Sequence, residues 1–68
     1  MNITVNGEVK VVQPGLNLYQ LLLDLQIDPS RPGIAIALNR EVVPRQRWKE
    51  AEIPSESDVE IIRAVQGG

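Results

Sequence analysis

Few side chains in this sequence can do chemistry. It contains no His and no Cys, so it has no imidazole base, no thiolate nucleophile, no disulfide and no zinc–cysteine knuckle. Nine carboxylates, Lys10, Lys49, five Arg and a few hydroxyls are what is left, and no nucleophile is paired with a base, which argues against an independent enzyme. Glu50, Glu52 and Glu56 lack the convergent spacing of a cation site, so no metal is expected. The reactive group that an inventory of side chains leaves out is the terminal α-carboxylate, which follows Gly67-Gly68.

Two glycines in succession carry no Cβ atoms, so this backbone can take any φ and thread a tunnel that side chains would block. From Val65 onward four residues at about 3.3 Å each reach roughly 13 Å past the last strand. A carboxylate is a poor electrophile, but joined to AMP it gains a leaving group that a sulfur or amine nucleophile can displace. In that reading Gly68 is the modified residue, Gly67 and Gln66 form the tail, and the chain is a substrate rather than a catalyst. Position alone favours a frayed terminus. The body that carries the glycines decides between the two.

That body reads as alternating strands around one helix. Ile3 and Val5 alternate with polar residues, as do Val9 and Val11, and Asn6-Gly7 between them suits the positive φ values of a type I′ hairpin turn. Strands are expected at 2–6 and 8–12. Leu18, Leu21, Leu22 and Leu25 then recur at helical spacing after Asn17, a good N-cap, which predicts a helix over 18–26. The stretch Asp28-Pro29-Ser30-Arg31-Pro32-Gly33 cannot continue it. Ile34 to Leu38 and Glu41 to Val43 read as a second hairpin around Asn39-Arg40, with Pro44 marking an edge strand. Arg45 to Ala51 is a short helical turn or loop, and Val59 to Val65 is the last strand, apolar enough on both faces to sit centrally. The expected fold class is α+β: a β-grasp, or ubiquitin-like, mixed five-stranded sheet of order 2-1-5-3-4 with one main helix across one face. Residues 1–65 form this domain and 66–68 a flexible Gly-Gly tail.

The chain has 68 residues, 43% of them apolar, a net charge of −2 and a pI near 4.9. That suffices for one small core, and the acidic balance argues against nucleic-acid binding. It contains neither a membrane-length apolar run nor a signal-peptide pattern, so a cytoplasmic protein without a membrane partner is expected, with no segment ahead of the domain.

The segment Leu38-Asn39-Arg40-Glu41-Val42-Val43-Pro44-Arg45, with Trp48 three residues on, resembles the signature of the thiamine-biosynthesis sulfur carrier family, ThiS. Ile3-Thr4-Val5-Asn6-Gly7-Glu8, the Leu21-Leu22 helix, Asp58-Val59-Glu60-Ile61 and terminal Gly67-Gly68 fall in the family's order, so the resemblance covers the whole chain. It implies that Gly68 is adenylated by a ThiF-like, ATP-using enzyme and converted with a persulfide sulfur donor into a thiocarboxylate. It further implies that this sulfur is donated at thiazole synthase, ThiG. No cofactor is expected on the chain itself; ATP belongs to the partner. The sheet face away from the helix, with Ala35, Ala37, Ile62 and Ala64, is then the expected docking surface, and Arg63 a rim contact for an acidic partner. Arg40, Arg45, Arg47 and Lys49 read as a solvated basic face, and Trp48 as core. Two departures from the family stand out. Glu56-Ser57-Asp58 replaces a common Asp-Gly-Asp, which sets Ser57 where glycine's positive φ is expected, and Gln66 replaces a small tail residue. Rival readings on the same fold are a small-subunit-like carrier of molybdopterin synthase and a ubiquitin-like adaptor whose tail does no chemistry.

Overall fold

The computed structural model describes residues 1–64. Val65 and the expected tail at 66–68 lie outside the described residues. The elements are β1 (Asn2–Val5), β2 (Glu8–Val11), α1 (Leu18–Asp24), β3 (Ile34–Leu38), β4 (Glu41–Val43), a 3-10 turn at Arg45–Arg47, and β5 (Asp58–Arg63). The sheet order is β2-β1-β5-β3-β4, with β5 parallel to β1 and antiparallel to β3. This is the β-grasp arrangement expected from the two hairpins and the apolar last strand, with β4 at an edge as Pro44 requires.

Both hairpins turn on two residues of positive φ: Asn6 (51°) with Gly7 (84°), and Asn39 (50°) with Arg40 (71°). Such loops match the right-handed twist of the flanking strands. Asn6 therefore belongs to the turn, and β1 ends at Val5 instead of residue 6. From that position its side chain continues the pairing: Nδ2 donates to the Ile61 carbonyl at 3.2 Å and Oδ1 accepts the Ile61 N–H at 2.8 Å.

Helix α1 starts as expected. Asn17 accepts from the Gln20 N–H at 2.8 Å, and Gln20 Oε1 accepts the Asn17 N–H at 3.1 Å, a reciprocal capping box. It ends earlier than residue 26. Gln26 takes φ 61°, its N–H bonds the Leu23 carbonyl, and the Ile27 N–H reaches the Leu22 carbonyl. This is a Schellman closure, with a glutamine in the left-handed position usually held by glycine. The last strand starts one residue earlier than expected, because Asp58 pairs with Thr4, and its described part ends at Arg63.

The core lies between the helix and one sheet face. Leu18, Leu21 and Leu22 pack with Ile3, Val5, Ile34, Ile36, Val59 and Ile61, and Ile53 and Trp48 close one end. Trp48 is buried as expected, and its indole N–H donates to the Val43 carbonyl at 2.9 Å.

The turn before β5 corrects the placement of the positive φ. It falls on Glu56 (65°), not on Ser57. Ser57 is instead buried: its hydroxyl donates to the Pro54 carbonyl at 2.6 Å and accepts from Asn39 Nδ2 at 3.3 Å. A serine fits here because its hydroxyl supplies bonds that glycine cannot.

Candidate functional site

Strand pairing determines what each sheet face presents, because residues directly opposite one another share a face. Ile34, Ile36 and Leu38 face the helix, so Ala35 and Ala37 face away. Ala35 pairs with Ile62, and Ala37 pairs with Glu60 on one side and Val42 on the other. The structure thus brings Ala35, Ala37 and Ile62 onto one open face, and adds Val42. Ile62 is 59% exposed and Val42 74%. The small alanines between them leave both larger side chains projecting.

The same face continues past β1. The two-residue loop at Asn6-Gly7 pairs Val5 with Glu8 and Thr4 with Val9, so Val9 and Val11 point outward while Ile3 and Val5 point inward. Among the described residues, four of the five large exposed apolar side chains, Val9, Val11, Val42 and Ile62, are therefore on this face; Leu23 on the helix is the fifth. The Thr4 hydroxyl, donating to an Asp58 carboxylate oxygen at 3.0 Å, separates the β2 pair from the Ile62 group.

Arg63 lies elsewhere. It pairs with Ile34, which puts it on the helix side of the sheet, where it lines a groove of roughly 430 Å³ with Lys10, Leu25 and Ile61. Ala64 follows β5 and donates its N–H to the Gly33 carbonyl at 2.8 Å, one rung past the β3–β5 ladder. The alternation along the strand carries it to the Ile62 side.

The basic run resolves into individual contacts. Arg40, Arg45, Arg47 and Lys49 are all exposed, as a solvated face requires. Arg45, however, lies 4.6 Å above the Trp48 ring and donates to the carbonyls of Pro29 and Arg31, and Lys49 lies 4.7 Å above the Tyr19 ring. No group of three or more His, Cys, Asp and Glu side chains among the described residues could hold a metal ion. Asp28 has its carboxyl held below the ordinary 3.8, first by the Ser30 hydroxyl and then by the Ser30 N–H. It serves a loop turn and has no catalytic neighbour. Among the described residues no helix is long and apolar enough to cross a membrane.

The family model of ThiS matches residues 3–68. The chain belongs to the ThiS family. The sulfur carrier protein ThiS of Escherichia coli (strain K12) is 26% identical over 68 residues, covering all of both chains. The crystal structure of the thiamine biosynthesis protein ThiS from Geobacter metallireducens superposes with a TM-score of 0.83 at 30% identity, over all of both chains. The solution structure of a thiamine biosynthesis protein from the same organism gives 0.79 at 30% identity, over all of this chain and 88% of that one. ThiS membership favours the first of the three readings that share the fold.

Val9, Val11 and Val42 were absent from the expected docking surface, although their placement follows from loop length. A two-residue turn forces Val9 opposite Thr4 and Val42 opposite Ala37. The contacts of Arg45 left no such trace, because its carbonyl partners lie 14 and 16 residues away.

Proposed function

We propose that this ThiS-family chain carries sulfur for thiazole formation in thiamine biosynthesis as a protein co-substrate, with Gly68 as its reactive end. One observation carries the reading: the family match runs through residue 68, so it includes Gly67-Gly68 as well as the folded body. A ThiF-like enzyme supplies ATP. A carboxylate oxygen of Gly68 attacks the α-phosphate, pyrophosphate leaves, and the acyl carbon becomes an electrophile. The terminal sulfur of a persulfide donor then displaces AMP, and two electrons from a thiol release the product as a thiocarboxylate. That sulfur is delivered to thiazole synthase, ThiG. In this reading residues 1–65 are the docking body, and 66–68 are the arm, with Gly67 and Gln66 spanning the partner's tunnel.

The docking surface in this proposal is the open sheet face. Ile62 and Val42 supply apolar contact, while Ala35, Ala37 and Ala64 let a partner approach the strands closely. Arg63, on the other side of β5, is reserved for a rim contact where the strand leads into the tail.

ATP–pyrophosphate exchange tests the activation step. With a ThiF-like enzyme, exchange is expected to depend on this chain and to disappear when Gly68 is deleted. Exchange that persists without Gly68 contradicts the proposal.

A further inference from the structure

The segment Leu38–Arg45 with Trp48, which carries the signature part of the family resemblance, gives Val42 to the open face and Val43 and Trp48 to the core, and leaves Arg45 to be accounted for. Its contacts lead to the other end of the molecule's working strand. Trp48 is fixed by burial and by its bond to the Val43 carbonyl. The Arg45 guanidinium stacks on that fixed ring and donates to two carbonyls of the loop between α1 and β3, those of Pro29 and Arg31. Two different nitrogens engage two different carbonyls, a forked geometry that the planar guanidinium provides and an ammonium does not.

The loop so gripped is stiff. Pro29 is buried, Pro32 fixes its own φ, and Asp28 closes the turn by accepting from the Ser30 N–H at 2.9 Å and the Ser30 hydroxyl at 2.7 Å. Two residues after Arg31 the chain reaches Gly33 at φ +82°, a conformation suited to glycine. Its carbonyl accepts the Ala64 N–H at 2.8 Å. A Cβ at Gly33 would stand 3.3 Å from the Ala64 Cβ, tighter than an ordinary contact, so any side chain there must push Ala64 away by a few tenths of an ångström. Ala64 is the last described residue before the four C-terminal ones.

We propose that Arg45 is a positioning residue for the C-terminal segment. By clamping the Pro29 and Arg31 carbonyls onto the Trp48 platform, it holds Gly33 against Ala64 and so determines the direction in which the chain leaves β5. The clamp itself is independent of the carrier reading; its consequence for sulfur transfer rests on that reading. An arm must enter a partner's active site from a defined origin, and small misplacements of a reacting group cost rate more than binding.

Two measurements on Arg45→Gln and Gly33→Ala, with Arg47→Gln in the same turn as control, test this. The first is amide hydrogen exchange by NMR on the free chain. In both variants the Ala64 amide is expected to exchange about tenfold faster, while Ile61 at mid-strand and the whole Arg47→Gln protein stay near wild type. The second is steady-state conversion of Gly68 by a ThiF-like enzyme, where kcat is expected to fall about tenfold with KM nearly unchanged, because Ile62 and Val42, the large apolar contacts of the docking face, are left in place. Unchanged Ala64 exchange in both variants overturns the clamp. Equal acceleration at Ala64 and Ile61 also overturns it, since that is general loss of stability. A wild-type chain that is never converted overturns the carrier reading, and the exchange data then still decide the clamp.

Discussion

At the scale of single residues, the turn into β5 shows how two neighbours divide the work of one glycine. Glu56 holds the left-handed backbone at φ 65°, whereas buried Ser57 uses its hydroxyl to join Pro54 and Asn39. The substitutions Glu56→Gly and Ser57→Gly are therefore expected to act in opposite directions. Relief of the left-handed strain raises stability by up to about 1 kcal/mol in Glu56→Gly. Loss of the hydroxyl leaves Asn39 Nδ2 short of an acceptor and costs about 1–3 kcal/mol in Ser57→Gly. Urea unfolding measures both, and a stabilising Ser57→Gly contradicts the assignment. The family pattern suggested the reverse placement, because a motif of residue types does not say which peptide unit turns over; only the hydrogen bonds of Ser57 do. Trp48 was legible from composition, as a lone indole in a small chain. Replacing it with Ala is expected to cost about 3–5 kcal/mol, a large part of the stability of so small a domain.

At the scale of elements, register is what turns a list of strands into a surface. The order β2-β1-β5-β3-β4 was readable because two hairpins and one apolar strand leave few other ways to cover a helix. The faces were only partly read: Ala35, Ala37 and Ile62 do share the open face, while Arg63 lies on the helix side and Val9, Val11 and Val42 join from the hairpins. Val9→Thr and Val11→Thr are thus expected to change stability by no more than about 0.5 kcal/mol, whereas Val5→Ala costs roughly 2 kcal/mol, although all three residues belong to one hairpin. Equal losses in thermal unfolding contradict the register. Ile62→Asp is expected to weaken binding to a ThiF-like enzyme at least about tenfold with the fold intact, the size of effect seen when a buried apolar anchor is lost. Unchanged affinity in calorimetry removes this face from the interface. The α1–β3 loop adds a pH term. Asp28 is bonded as a carboxylate, so its folded pKa is below its unfolded one, and its contribution is present above the ordinary 3.8 and lost as pH falls through the depressed value. In Ser30→Ala its NMR titration midpoint is expected to move up, since the hydroxyl is the larger cause.

At the scale of the whole molecule, a sequence without His or Cys offers neither an imidazole base nor a thiolate for acyl or sulfur chemistry. In the proposed function, what the fold provides is presentation: a small core, an apolar face on the strand that leads to the glycines, and a clamp at that strand's last described rung. A body built for presentation is expected to be indifferent to its last residue, so deletion of Gly68 leaves the thermal midpoint unchanged while abolishing activation; a marked drop in the midpoint gives the tail a structural role instead. The most direct test of the central claim is intact-mass and fragment-ion spectrometry after incubation with a ThiF-like enzyme, ATP and a persulfide donor. The account predicts one oxygen-to-sulfur exchange, confined to Gly68. An unshifted mass, or sulfur located on any other residue, contradicts it.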